Sequence, residues 1–163
     1  MKNNLPERKP TRLKNFDYHN NGYYFITICT HNRKKLLSKI VGQGLAPAEI
    51  QLSNYGKIAK AELLELENRY DCVKIDKYVI MPDHIHVIVV MRNSSAGASP
   101  CPTLSDVVCA FKSITTRKCN LMQPKQKIFQ TSFYDHIIRN ESDYIEVWEY
   151  IENNPCNFTE NSR

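Results

Sequence analysis

The spacing of apolar and polar positions changes its period several times along this chain, and each change marks an element. Tyr23 to Thr30 (YYFITICT) is dense in aromatic and β-branched residues, the composition of a strand. From Asn54 to Asn68, Ile58, Ala61, Leu64 and Leu66 recur among charges, which predicts a helix. Val73 to Met81 and His84 to Met91 are two β-rich runs parted by Pro82-Asp83, a pattern that predicts a hairpin. A second helix is expected to start at Thr103. Its hydroxyl can cap the amides near Asp106, and Leu104, Val107, Val108, Phe111 and Ile114 follow at helical spacing. Phe129 to Arg139 reads as one more strand. Ser142 to Asn154 reads as a last helix with Tyr144, Val147, Trp148 and Ile151 on its core face and Pro155 as its stop.

The order is β-α-β-β-α-β followed by a C-terminal helix. That is the ferredoxin-like arrangement of the α+β class, an antiparallel sheet with helices on one face. The 163 residues suffice for one domain, expected over residues 21–158, after an arm at 1–20 with Pro6 and Pro10 and before a short tail at 159–163. Gly42 to Pro47 and the small, Pro-rich stretch Asn93 to Pro102 read as loops within it. No apolar run approaches the ~18–20 residues of a membrane span. Met1 to Lys14 is polar and basic, unlike a secretory leader, so a cytoplasmic protein with no membrane partner is expected.

Charge matters here more by placement than by amount. The net charge is +5. Basic residues gather at Arg8, Lys9, Arg12 and Lys14, at Arg33, Lys34, Lys35 and Lys39, and from Lys112 to Lys127. Acidic residues gather from Glu62 to Asp76 and from Glu141 to Glu152. Such segregation can give one positive face suited to phosphates, although an ordinary solvated surface has the same composition. The six cysteines form no C-x-x-C pair and several fall in apolar segments, so they read as buried, reduced thiols.

The chemistry centres on His84-Ile85-His86. In a strand, residues i and i+2 share a face, so both imidazoles project from one side while Ile85, Val87 and Val89 project from the other. Two adjacent imidazoles are a ready pair of metal ligands, but an H-x-H pair in a strand is also compatible with a purely structural role. The last helix adds Tyr150 and Asn154, four apart on one face. At ~100° per residue they fall at the edge of the core stripe, bordering the sheet.

Four segments together resemble the single-tyrosine HUH transposases, and within them the REP-associated tyrosine transposases. They are Gly22-Tyr-Tyr-Phe-Ile-Thr-Ile-Cys-Thr30, Tyr78-Val-Ile-Met-Pro-Asp-His-Ile-His-Val87, Phe111-Lys-Ser113, and Phe133-Tyr-Asp-His-Ile-Ile-Arg139 with Tyr150-Ile-Glu-Asn-Asn-Pro155. The resemblance implies a DNA strand transferase acting on single-stranded DNA with a hairpin or palindrome. It implies that His84, His86 and Asn154 hold a divalent ion, Mg2+ or Mn2+, and that Tyr150 attacks the scissile phosphate to form a 5′-phosphotyrosine. It leaves open whether the enzyme works as a monomer or as a homodimer in which Tyr150 serves a partner's histidines. The chain departs from the family pattern at Ile128-Phe129-Gln130, where a tryptophan is common.

Other residues carry weaker expectations. Lys112, Arg117 and Lys118 could track DNA phosphates, as could an arm of Arg8, Lys9, Arg12 and Lys14. His136 reads as a core histidine, with a position behind the metal ligands as the alternative. His19 and His31 read as surface residues. Two rival functions remain at this point: a metal-free, ferredoxin-like module that binds RNA or single-stranded DNA, and a transposase relative that has lost activity.

Overall fold

The computed structural model describes residues 21–42, 48–92 and 101–158; the expected basic arm, most of both loops and the C-terminal tail lie outside them. A four-stranded antiparallel sheet forms the frame. Its strands are β1 (Gly22–Cys29), β4 (Val73–Ile80), β5 (His84–Met91) and β6 (Tyr134–Ile138), in the order β4-β5-β1-β6. The helices are α1 (Asn54–Arg69), α2 (Leu104–Met122) and α3 (Glu141–Asn157). This is the expected ferredoxin-like order. One unit was not foreseen: β2 (Ser38–Val41) and β3 (Glu49–Leu52) pair as a separate two-stranded sheet between β1 and α1.

Strand alternation divides the molecule into two layers. Tyr24, Ile26 and Ile28 of β1 and Ile85, Val87, Val89 and Met91 of β5 face α1 and α2 in the main core, with Leu63, Leu66, Val107 and Phe111. Phe25 and Ile88 face the opposite way and pack with Val147 and Ile151 of α3 in a second core. The third helix thus covers the sheet face that carries the histidines. Burying its Val147 and Ile151 contributes roughly 2 kcal/mol per side chain.

Local chemistry explains the helix starts. Ser53 accepts the Gly56 amide at 3.1 Å, and Thr103 with Asp106 forms a reciprocal capping box. Gly56 is required for space. A Cβ there would lie 2.0 Å from the Leu37 carbonyl oxygen, because the chain entering β2 crosses the first turn of α1 at backbone contact. Gly56→Ala is therefore expected to cost about 3 kcal/mol and to lower the melting temperature by roughly 6–12 °C, measured by circular dichroism.

Three expectations change. The last helix does not stop at Pro155 but runs on to Asn157, with Pro155 buried inside it. Proline removes only its own amide, whose acceptor would be Ile151, so a proline in the final turn forfeits one bond. Trp148 is exposed rather than core, and its ring lies beneath Lys77 Nζ at 3.8 Å. The run from Phe129 to Arg139 is not one strand. Phe129 bridges Thr30, whereas Tyr134 pairs with Thr27. Four residues between these pairs on one side against two on the other leave a bulge, whose Thr131 carbonyl accepts from Lys112 Nζ at 2.8 Å.

A bulge at Asp76 in β4 helps to seat α3. The Tyr144 hydroxyl donates to Asp76 at 2.6 Å, and Lys77 pairs with Glu152. All six cysteines are free thiols, but only Cys72 and Cys119 are buried. No described helix is long and apolar enough to cross a membrane.

Candidate active site

His84 and His86 sit on a central strand, where β1 on one side and β4 on the other hold the backbone. Both are buried, at 8% and 5% exposure, and their rings lie 4.4 Å apart. Each has one nitrogen committed. His84 Nδ1 donates to Asp83 Oδ1 at 2.6 Å, and His86 Nδ1 shares a hydrogen bond with Thr27 Oγ1 at 2.9 Å. The Nε2 atoms are left without partners among the described residues. The residue that orients His86 is its neighbour across the strand pair, since Thr27 lies opposite it in register.

Electrostatics keeps His86 in the form that can bind a cation. Burial, then the neighbouring His84 and Arg33 charges, push the His86 pKa down to about 3, so its ring is neutral at physiological pH. Burial alone would raise the Asp83 carboxyl. The His84 hydrogen bond and the charges of His84 and Arg33 outweigh it and hold Asp83 below the usual carboxylate range. Asp83 stays ionised and fixes the His84 tautomer, as carboxylates behind metal-binding histidines do.

Tyr150 comes to this pair from α3 of the same chain. Its ring centroid lies 5.2 Å from that of His86 and 5.9 Å from that of Phe25, edge-on to both. It is 51% exposed. Asn154, one turn on, lines the same cavity of about 530 Å³, with His84, His86, Tyr150 and Asp83. The continued helix matters here, because Asn154 keeps its helical position beside Tyr150 and does not swing away before Pro155. Two imidazoles and an amide oxygen make a donor set of the right kind for a divalent ion. Among the described residues no group of three or more His, Cys, Asp or Glu does so.

The other tyrosine of this helix is differently placed. Tyr144 is bonded to Asp76, and that bond, with burial, pushes its pKa up to about 12. His136 does not join the pair. Its Nε2 bonds Asp143 Oδ1 at 2.8 Å at the start of α3, so it is neither bonded to backbone nor behind the metal-ligand candidates. Lys112 holds the bulge carbonyl, and Lys118 pairs with the buried Glu62 on the helical layer. Arg117 is exposed on the same helix, and none of these three lines the cavity. Arg8, Lys9, Arg12 and Lys14, like His19, fall outside the described residues.

The structure adds Thr27, Arg33, Asp83 and Tyr134 to the cavity wall. Asp83 had a signal in the sequence, its position directly before the H-x-H pair.

Comparison with known proteins identifies the family. The IS200-like transposase family matches residues 18–154, most of the chain. The chain belongs to this family. An uncharacterised Haemophilus influenzae protein (strain ATCC 51907 / DSM 11121 / KW20 / Rd) is 31% identical over 166 residues, covering 93% of this chain and 89% of its own. A REP-associated tyrosine transposase solved bound to a REP hairpin shares the fold. Its TM-score is 0.62 at 20% identity, over 88% of this chain and 73% of that one. A Deinococcus radiodurans R1 protein assigned as a transposase gives a TM-score of 0.51 at 18% identity, over 87% and 95%. The transposase fold thus carries His84, His86 and Tyr150 in one cavity.

Proposed function

We propose that this transposase cleaves and rejoins single-stranded DNA at hairpin or palindromic elements through a covalent link to Tyr150. The observation that carries the reading is the 5.2 Å approach of Tyr150 to His86 within one chain, with both Nε2 atoms left unpartnered. This arrangement lets one copy assemble the site in cis. A hairpin substrate is supported by the hairpin-bound relative of the same fold.

His84 and His86 through Nε2, and Asn154 through its amide oxygen, would hold a divalent ion, Mg2+ or Mn2+. Such an ion supplies Lewis-acid polarisation of a phosphoryl oxygen and offsets charge that builds there. The chain's residues do the rest. Asp83 and Thr27 lock the imidazoles. Phe25 packs one side of His86 and stacks its ring at 5.2 Å, so the tyrosine and the histidines share a rigid floor.

The reaction follows from the groups present. The Tyr150 hydroxyl oxygen bonds to phosphorus as its proton leaves, and the bond from phosphorus to the 3′ oxygen breaks. That oxygen takes up a proton and departs as a 3′-hydroxyl. In the return step a 3′-hydroxyl attacks the phosphotyrosine and the phenol oxygen leaves. The phosphodiester bond energy is kept in the enzyme link, so joining needs no nucleotide cofactor.

The test is covalent capture. The protein is incubated with a labelled hairpin oligonucleotide carrying a single-stranded flank, with Mn2+ or with EDTA, and run on a denaturing gel. A slower band that carries the label is expected with Mn2+ alone. Equal nicking in EDTA, with no slower band, would refute the reading.

A further inference from the structure

We propose that Arg33 grips a DNA phosphate at the mouth of this cavity and is the cation the strand transfer uses beside the metal-ligand pair. The inference rests on the reading of the cavity as a DNA site and names a residue that reading does not contain.

Arg33 is the one permanent cation among the described residues that line the cavity. Asp83, with its side chain close to the histidines, brings a negative charge to a place where an anionic backbone must enter. Arg33 Nε lies 3.5 Å from Asp83 Oδ2 and offsets that charge. Its Nη1 donates to Cys29 Sγ at 3.0 Å, a weak acceptor. Of the five N–H groups of a guanidinium, the remainder have no partner among the described residues. The side chain is 52% exposed, so those donors face the solvent side of the cavity. A planar fork with spare donors is the group that best matches a phosphate.

The backbone is the second observation. Asn32 and Arg33 have φ of 53° and 54°, two successive residues in the left-handed region. Asparagine adopts that region readily; arginine does so at a cost. Glycine would serve the turn better if only the turn mattered. The strained segment is lashed to the turn that precedes His84. Thr30 N donates to the Asp83 carbonyl at 2.9 Å, Thr30 Oγ1 donates to the Asp83 and Lys34 carbonyls, and Leu37 N donates to the Pro82 carbonyl at 3.0 Å. Arg33 and the histidine strand therefore move as one piece. Strain held by its surroundings at such a spot is the pattern of a side chain kept for what it contacts.

The competing role is structural, an ion pair that merely neutralises Asp83. Salt dependence separates the two, because a residue that contacts DNA phosphate releases counterions and an internal pair does not. Binding of a fluorescent DNA hairpin with a short single-stranded flank is measured by anisotropy across a salt series. The protein carries Tyr150→Phe so that chemistry does not intervene. Arg33→Gly and Arg33→Ala are each expected to reduce the slope of log K against log salt by about 0.7–0.9, the share of one phosphate. Arg33→Lys is expected to keep the slope. Lys60→Ala, an exposed cation on α1 across the sheet from the cavity, is the control and should leave it unchanged.

Arg33→Gly should melt as high as the parent, because it relieves the left-handed residue, so a lost slope cannot be laid to a damaged fold. An unchanged slope in both Arg33→Gly and Arg33→Ala overturns the proposal. A reduced slope in a protein that forms covalent adducts through some residue other than Tyr150 would sustain the phosphate grip and refute the nucleophile assignment instead.

Discussion

Replacing Tyr150 with phenylalanine is expected to abolish covalent capture of DNA while leaving the fold intact. The substitution removes one oxygen. The ring would keep its edge contacts with His86 and Phe25, and a half-exposed hydroxyl contributes within about 0.5 kcal/mol to stability. Chemistry loses everything that depends on that oxygen. A rate fall of at least ~10³-fold, about 4 kcal/mol of barrier, is expected in single-turnover adduct formation. Hairpin binding should stay within about two-fold of the parent, because no metal-ligand or phosphate contact has been removed. Tyr144 cannot stand in, since it is committed to Asp76 and holds its proton to about pH 12.

Replacing His86 with alanine is expected to have the second-largest effect, in a different way. The tyrosine remains, but one of two imidazole donors is gone. Adduct formation should fall ~10²–10³-fold, and the Mn2+ concentration for half-maximal rate should rise by at least about ten-fold, if His86 helps to hold an ion that supplies several kcal/mol of charge stabilisation. His84→Ala should behave alike. The double variant should be no more than about three-fold worse than either single one, because groups that act as a unit lose their joint effect at the first removal. His86 is buried between Phe25 and Thr27, so its removal should also cost about 2–3 kcal/mol of stability by leaving a hole. A thermal melt run beside the kinetics separates that cost from the loss of function. An adduct rate in the double variant equal to the product of the two single losses would show that the histidines act independently.

How much of this was visible in the residues alone depended on the range of the interaction involved. The pairing of His84 and His86 follows from strand alternation, which is local, and so does their separation from Ile85 and Val87. Tyr150 and Asn154 at the edge of the last helix follow from its turn angle. The ferredoxin-like order followed from period changes in long segments. What needed three dimensions was mostly non-local. The four-residue strands Ser38–Val41 and Glu49–Leu52 are too short, and too mixed in polarity, to show a period. Lys112 and Lys118 looked like phosphate contacts because charge alone does not reveal an internal partner. One bonds a bulge carbonyl and the other the buried Glu62. Pro155 looked like a stop because proline opposes a helix interior, yet in the final turn a single lost bond is outweighed by burial of its ring. Arg33 stood in a run of basic residues. Only the two left-handed residues of its turn, and the lashing of that turn to Pro82 and Asp83, bring it to the histidines.

The arrangement has a mechanical logic. One face of the sheet packs two helices and stabilises the strands; the other carries the histidine cavity beside a helix that is itself anchored. Val147 and Ile151 bury the helix, while the Asp76–Tyr144 and Lys77–Glu152 contacts fix it along the sheet. Tyr150 is thereby presented to a fixed histidine pair by a rigid element rather than by a loop, which is what alignment for in-line attack requires.

The central claim is that Tyr150 is the residue that becomes joined to DNA. The most direct test is to form the adduct with Mn2+, digest the DNA to a short remnant and the protein with trypsin, and locate the remnant by mass spectrometry. The expected result is a single modified peptide, 140–163, with the remnant on Tyr150. A remnant on Tyr134, which lines the same cavity and is 56% exposed, or on any other residue, would contradict the account.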